Sequence, residues 1–329
     1  MAWRTKPVQS EAADEPADVP RPRIGVRGWF GVGRGMVRGF TDDNLLDLAA
    51  ALTYWGVLSL FPGLILAVSL VGLAGLSGQQ TLIDNVRQFA PGPARDTLIQ
   101  LIENLEGTAP TAAPLAVISI AVALWSASRY VASLIRSLNA VWGIPEGRPV
   151  WKLAPLRLAL TLAMVVLLGV SAVAVTFTGR FAEQAGRFLG LTDAFVAGWN
   201  VLKWPVLLLI VIVAIATLYW AAPNVRQRGW RWITPGVVFA VVSWIVASIG
   251  FAVYVASFGA FNRTYGALAT VVVFLVWLWV SNLAILLGAE FDAELATARR
   301  KALGRTTGTD IPIVPRDTSR LDDAQIPDR

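Results

Sequence analysis

Six long apolar runs, separated by shorter polar segments, organise the chain between residues 50 and 289. They cover 50–76, 113–140, 156–178, 201–222, 234–257 and 267–289. An α-helix rises 1.5 Å per residue, so about 20 apolar residues cross the ~30 Å hydrocarbon core of a bilayer. Each run reaches that length. The pattern predicts an all-α, polytopic membrane protein with six transmembrane helices in a membrane domain over 48–296.

The flanks differ from the runs. Residues 1–24 are polar, acidic and Pro-rich, and read as a disordered tail. They lack the basic start and apolar core of a cleavable signal, so the first span is expected to act as an uncleaved anchor. Residues 25–47 alternate Trp29, Phe30, Met36 and Phe40 with Arg27, Arg34 and Arg38, which suits an amphipathic segment lying at a membrane interface. Gly31, Gly33 and Gly35 do not make a phosphate loop, because no strand precedes them and no Gly-Lys-Ser/Thr follows. The 77–112 loop carries TLIDNVRQFA and ARDTLIQLIENLEG, both amphipathic at helical spacing and split by Pro91-Gly92-Pro93, so two surface helices are expected at 79–107. Residues 297–329 read as a basic, largely disordered tail.

Composition sharpens the class. The 329 residues are 55% hydrophobic and 15% charged, with a mean hydropathy of +0.59. Soluble domains carry nearer 25% charge. The chain has no Cys and no His, which excludes disulfides, thiolate or imidazole metal ligands, and Ser-His or Cys-His nucleophilic pairs. No catalytic residue, metal or cofactor is expected, and the chain is read as a non-enzyme. Lys and Arg follow the topology. Nineteen fall on the side of both termini and the 141–155 and 223–233 loops, against five on the other side. The positive-inside rule then places both termini in the cytoplasm of a multi-pass protein of the bacterial inner membrane. The net charge of +6 is explained by this bias, and no nucleic-acid partner is expected.

The second run ends in LWSASRYVASLIRSLNAVWG at 124–143, where two permanent charges interrupt an apolar helix. At 100° per residue, Ser126, Arg129, Ser133, Arg136 and Ser137 share a face about 100° wide. Such a stripe is expected to face the bundle interior or a watery cavity. The sixth run ends in GAEFDAEL, with Glu290 and Glu294 four residues apart. Arg136 and Glu290 fall at similar depth and are candidates for a structural ion pair with Glu294 nearby. Arg129 lies about 10 Å deeper. It either snorkels to the inner surface or lines a path for an anionic ligand. Ser133, Asn282 and Pro62 join Arg129 and Arg136 as substrate-path candidates. Pro62 is expected to kink the first span. Asn282 and Ser281 equally suit hydrogen bonds between helices. Asn262, Tyr265 and Gly266 are expected to form an outer turn before the sixth span.

Four stretches carry a resemblance: AAALTYWGVLSLFPGLIL at 49–66, LWSASRYVASLIRSLNAVWGIPEGR at 124–148, APNVRQRGWRWITPG at 222–236 and FNRTYGALATVVVFLVWLWVSNLAILLGAEFDAEL at 261–295. In order and spacing they resemble the YihY/BrkB family of bacterial inner-membrane proteins over about residues 40–296. The first departs slightly from that family's usual AYYALLSLFP. The resemblance implies six spans with both ends in the cytoplasm, and an association with the cell envelope or lipid transport. The ribonuclease BN name that has circulated for the family finds no support in a chain without His or a metal-ligand cluster.

Three functions are weighed. A transporter or flippase-like protein for an anionic lipid or other envelope precursor would use the arginine stripe and have membrane lipids as partners. A non-catalytic scaffold for envelope assembly would dock protein partners on its surface helices and basic tails. A hydrolase would have to rely on Glu290, Asp292 and Glu294 alone.

Overall fold

The computed structural model describes residues 24–73, 112–176, 193–225, 233–257, 261–307, 313 and 315–321. The side chains of 61–73, 112–117, 119, 173, 176, 193–197, 200, 257, 261–270 and 305–307 are outside that description, as is the whole loop expected to hold the 79–107 surface helices. The described residues form seven helices: α1 Val26–Asp42, α2 Leu45–Leu73, α3 Ala112–Val141, α4 Val150–Thr176, α5 Asp193–Ala221, α6 Pro235–Ser257 and α7 Phe261–Thr307. An isolated antiparallel bridge joins Val225 to Pro315.

Helices α2 to α7 pack as a closed ring. Each touches the next along the chain, α7 returns to α2, and α3 also reaches α7 across the middle. Short connections account for the antiparallel α3–α4 and α6–α7 neighbours. Within the described residues, four segments are long and apolar enough to cross a membrane: Val150–Ala172, Val201–Ala221, Pro235–Ala256 and Val271–Gly304. Leu45–Leu60 is a shorter apolar stretch of α2. The all-helical, multi-pass class agrees with the sequence pattern, and the count of six crossings goes beyond these four.

The outer surface is apolar, as a lipid-facing surface must be. Val166, Leu168, Val201, Val246, Ile249 and Val253 are all exposed. The buried core draws on α2, α3, α5, α6 and α7 with Leu160 of α4, around Leu45, Leu52, Leu134, Leu138, Leu218, Val237 and Leu286.

Close packing at two crossings depends on glycine. A Cβ on Gly236 would overlap the Gly288 carbonyl and the Asp292 carboxylate, and a Cβ on Gly288 would meet Gly236 and Ala240. The α6 and α7 backbones therefore touch. Asp292 seals the contact, accepting from the Gly236 N–H at 2.8 Å and from the Thr234 hydroxyl. Along α1, a Cβ on Gly35 would overlap the Glu294 carboxylate and one on Gly39 that of Glu290. This glycine face seats α1 on α7.

Two expectations change. Asn262, Tyr265 and Gly266 lie within α7, whose helix begins at Phe261, and not in a turn. One helical Gly costs only about 1 kcal/mol, which the long apolar sequence after it outweighs. The carboxy-terminal tail is ordered beyond 304: α7 runs to Thr307, and residues 315–321 fold back onto the loops. Position 62 lies inside α2, which is helical on both sides of it.

Candidate functional site

Helix α3 carries the candidate stripe, and the structure divides it. Ser126, Ser133 and Ser137 are buried, whereas Arg129 and Arg136 are exposed. The reason is angular. The 100° face straddles the rim of the helix contact, with the serines on its inner edge and the arginines on its outer edge. Ile118, Val122, Trp125, Arg129, Arg136 and Ala140 are exposed on one side of the helix, interrupted by the buried Ala132 and Ser133. The arginines therefore look out of the bundle, not into it.

Two aromatic rings hold Arg129. Its guanidinium carbon lies 4.9 Å from the Trp125 ring centroid and 5.8 Å from that of Trp55 on α2. A flat, weakly hydrated guanidinium stacks on such rings at modest cost and keeps its N–H edge free for an anion. Arg157 of α4 completes the patch, since the charges of both Arg129 and Arg136 act on it. Arg157 Nη2 donates to Ser128 Oγ at 3.2 Å, while its Nε is buried without a hydrogen-bond partner. Among the described residues no carboxylate pairs with Arg129 or Arg136. Sequence reasoning missed Arg157, which periodicity within its own run does not connect to the second run. The antiparallel pairing of α3 and α4 through a short loop is what brings it level with the other two.

The expected Arg136–Glu290 pair does not form. Glu290 is 2% exposed and faces Gly39 of α1 and the α1–α2 turn, where the Asp43 carboxyl lies beside it. Glu294 lies beside Gly35 of α1. Arg136 points out from α3 on another side of the ring.

Asn282 is 2% exposed and joins three helices. Its Oδ1 accepts from the Tyr130 hydroxyl of α3 at 2.8 Å, and its Nδ2 donates to Thr53 Oγ1 of α2 at 3.1 Å. Thr53 in turn donates to the Ala49 carbonyl at 2.7 Å. Its neighbour Ser281 accepts from Trp244 Nε1 of α6 at 3.1 Å. Both side chains serve helix-to-helix bonding here. Ser133 is likewise internal, and its carbonyl accepts from Ser137 at 3.1 Å.

At the α3–α4 end of the ring, a polar clasp ties three stretches together. Gly143 closes α3 with φ at +61°, a left-handed value that suits glycine. Arg148, 4% exposed, grips Glu146 with Nε at 2.7 Å and Nη2 at 2.6 Å, and its Nη2 also caps the Ala222 carbonyl at 2.7 Å. Burial works to raise the Glu146 carboxyl, but hydrogen bonds and charge from Arg148, with a bond from Asn139, outweigh it and hold the group low. Asn224, fully buried, donates Nδ2 to the Asp317 carbonyl at 2.8 Å and accepts the Asp317 N–H at 3.1 Å. Lys152 donates to Asp317 Oδ2 at 2.6 Å. That bond, with those from Ser319, holds the Asp317 carboxyl down at about 2. Burial, then the charge of Arg148, lowers Arg316. Among the described residues no group of three or more Asp or Glu is placed to hold a metal.

Comparison with known proteins gives a consistent answer. The model of the family described as virulence factor BrkB matches residues 36–310. A ribonuclease-like protein of Bacillus subtilis (strain 168), YfkH, is 32% identical over 251 residues, covering 75% of this chain and 88% of that protein. A UPF0761 membrane protein of Alkalilimnicola ehrlichii is 32% identical over 284 residues, covering 82% of this chain and 60% of its own length. A UPF0761 membrane protein of Aeromonas salmonicida is 28% identical over 258 residues, 78% of this chain and 86% of its own. The chain thus spans most of two of these relatives but less than two thirds of the Alkalilimnicola protein. No solved structure matches.

Proposed function

The chain belongs to the BrkB family of membrane proteins, and from that premise we propose that it binds an anionic lipid, or another anionic envelope precursor, and helps it across the inner membrane. The observation that carries the reading is the patch in which outward-facing Arg129 and Arg136 adjoin the half-buried Arg157. Three permanent cations sit on adjoining helices, Arg129 is held between Trp55 and Trp125, and among the described residues no carboxylate pairs with Arg129 or Arg136. Such charges within a membrane-crossing length are costly unless a phosphate or carboxylate meets them.

In this reading α2 to α7 all cross the bilayer, and both termini are cytoplasmic, as the bias of Lys and Arg favours. The patch then lies toward the cytoplasmic leaflet. Arg136 is five residues and Arg157 seven residues from the α3–α4 loop ends, about 8 and 11 Å along their axes, and Arg129 about 18 Å. A lipid headgroup would engage Arg136 and Arg157 first and Arg129 next. The chain itself contributes no chemistry beyond binding and guidance, so the reading is non-enzymatic. The ribonuclease-like name belongs to the Bacillus relative and suggests no mechanism for a chain without His.

Scrambling of a labelled anionic lipid in proteoliposomes tests the reading. Wild type is expected to move it, and Arg129→Ala or Arg157→Ala to slow it at least ~10-fold, with equal insertion. Movement that is the same in all three sinks the path. A second reading, a scaffold for envelope assembly, draws on the exposed Val26, Phe30 and Val37 of α1. Wild type that moves no lipid, yet captures a defined envelope protein through α1, would favour it.

A further inference from the structure

A second polar site lies where α1 turns into α2, on the face opposite in chemistry to the arginine patch. Asp43 ends α1, its N–H bonding back to the Gly39 carbonyl at 2.9 Å. Asn44 then takes φ +50°, and α2 starts at Leu45. The turn presses Asp43 against α7, where its carboxyl lies beside that of Glu290.

Glu290 is unusual in three ways. It is 2% exposed. Its Oε2 is buried and has no hydrogen-bond partner. On its other side is not a cation but the backbone of Gly39, held so close that a Cβ would overlap the carboxylate. The charges acting on it are those of Asp43 and Glu294. The remaining charged groups on the elements packed there point elsewhere. Arg34 and Arg38 of α1, Asp42 beside the turn and Asp47 of α2 are exposed. Lys301 acts on Glu294 and Arg299 on Asp292.

Two carboxylates cannot share a buried hydrogen bond while both are ionised, since one must supply the hydrogen. We propose that Asp43 and Glu290 form a proton-binding site, in which one proton is shared between the two carboxyls and holds α1 against α7. The proton enters from water through Asp43, which is half-buried beside the exposed Asn44, and rests against the sealed Glu290. Its loss leaves two negative charges facing each other across the glycine seam of Gly35 and Gly39. Repulsion then lifts α1 from α7. The site supplies a buried acid of the kind that couples movement to a proton gradient, and it stands whether or not the arginine patch handles lipid.

The chain has no Cys, so labels can be placed singly. The test uses the full-length protein in lipid vesicles, titrated from about pH 5 to about pH 9, a range in which ordinary carboxyls are already ionised. Infrared spectroscopy reads the carbonyl band of protonated carboxyl. Spin labels at Val37→Cys on α1 and Val150→Cys on α4 read the position of α1. Wild type is expected to keep a protonated-carboxyl band at neutral pH and to lose it on alkalinisation, as the distance between labels changes. Glu290→Gln is expected to abolish that band and to hold α1 docked at every pH. Should Glu290→Gln not fold, Asp43→Asn at the surface turn serves. It removes the second carboxyl, and the band should vanish at a pH lower by at least ~1 unit. A wild-type band that is already absent at about pH 5, or one unchanged by both substitutions, overturns the proposal. So does an α1 distance that ignores pH.

Discussion

The Asn224 backbone N–H donates to Asn139 Oδ1 at 2.7 Å, across 85 residues of sequence. This bond joins the end of α3 to the end of α5. Asn139 Nδ2 meanwhile donates to Glu146 Oε2 at 2.9 Å, so one amide serves both loops. Asn139→Ala strands a buried N–H and is expected to cost about 1–3 kcal/mol. Asn139→Asp restores the acceptor but sets a second carboxylate beside Glu146, so it should rescue only partly. Thermal unfolding of the detergent-solubilised protein measures both. A rescue to wild-type stability by Asp would count against the bond to Glu146.

Arg148 is the heavier member of the same clasp. Its truncation to Ala leaves Glu146 half-buried without its cation and uncaps the Ala222 carbonyl. The expected loss is about 3–5 kcal/mol, the range for breaking a buried pair from one side. Arg148→Lys should recover less than half, because an ammonium cannot fork between Glu146 and the α5 end. Equal stability of the Lys variant and wild type would show that charge alone suffices.

Acid should release the carboxy-terminal segment. The Glu146 and Asp317 carboxyls are both held below their ordinary values of 4.5 and 3.8. Their stabilising contribution is therefore complete above those values and is lost as pH falls through them toward about 2. A fluorophore on Thr318→Cys should report release within that window and not at neutral pH. Lys152→Ala should move the release to higher pH by removing the main cause of the Asp317 shift. Release that is independent of Lys152 would place the acid-sensitive group elsewhere.

The Tyr130–Asn282–Thr53 chain makes a contrasting pair of variants. Tyr130→Phe removes one hydroxyl and leaves an Asn282 lone pair bare, for a loss of about 1 kcal/mol. Asn282→Leu strands both Tyr130 and Thr53 and should cost more, about 2–3 kcal/mol. If lipid movement falls with Tyr130→Phe while stability does not, the chain has a role beyond packing.

The helical class was legible in the sequence because a membrane span needs only length and apolarity, which one run displays by itself. The Lys and Arg bias was legible for the same reason. The arginine stripe was half legible. Helical periodicity placed Ser133 and Arg136 on one face, but it cannot say where the packing boundary cuts that face. That boundary is set by α2, α4 and α7. Arg157 needed the antiparallel α3–α4 pairing, and Glu290 needed α1, whose Gly35 and Gly39 look like loop glycines until a partner helix is laid on them. The tail at 315–321 reads as disordered because its order comes from Asn224 and Lys152, not from its own composition.

Helix α7 has 47 residues. At 1.5 Å per residue it is about 70 Å long; the apolar run 267–289 accounts for the crossing, and the 18 residues from Glu290 to Thr307 continue about 27 Å past it. A rigid rod so divided works as a lever: a tilt of about 10° at the membrane boundary would sweep its far end through ~5 Å. Small adjustments among the spans are thereby magnified at a distance from the bilayer, where another molecule has room to feel them.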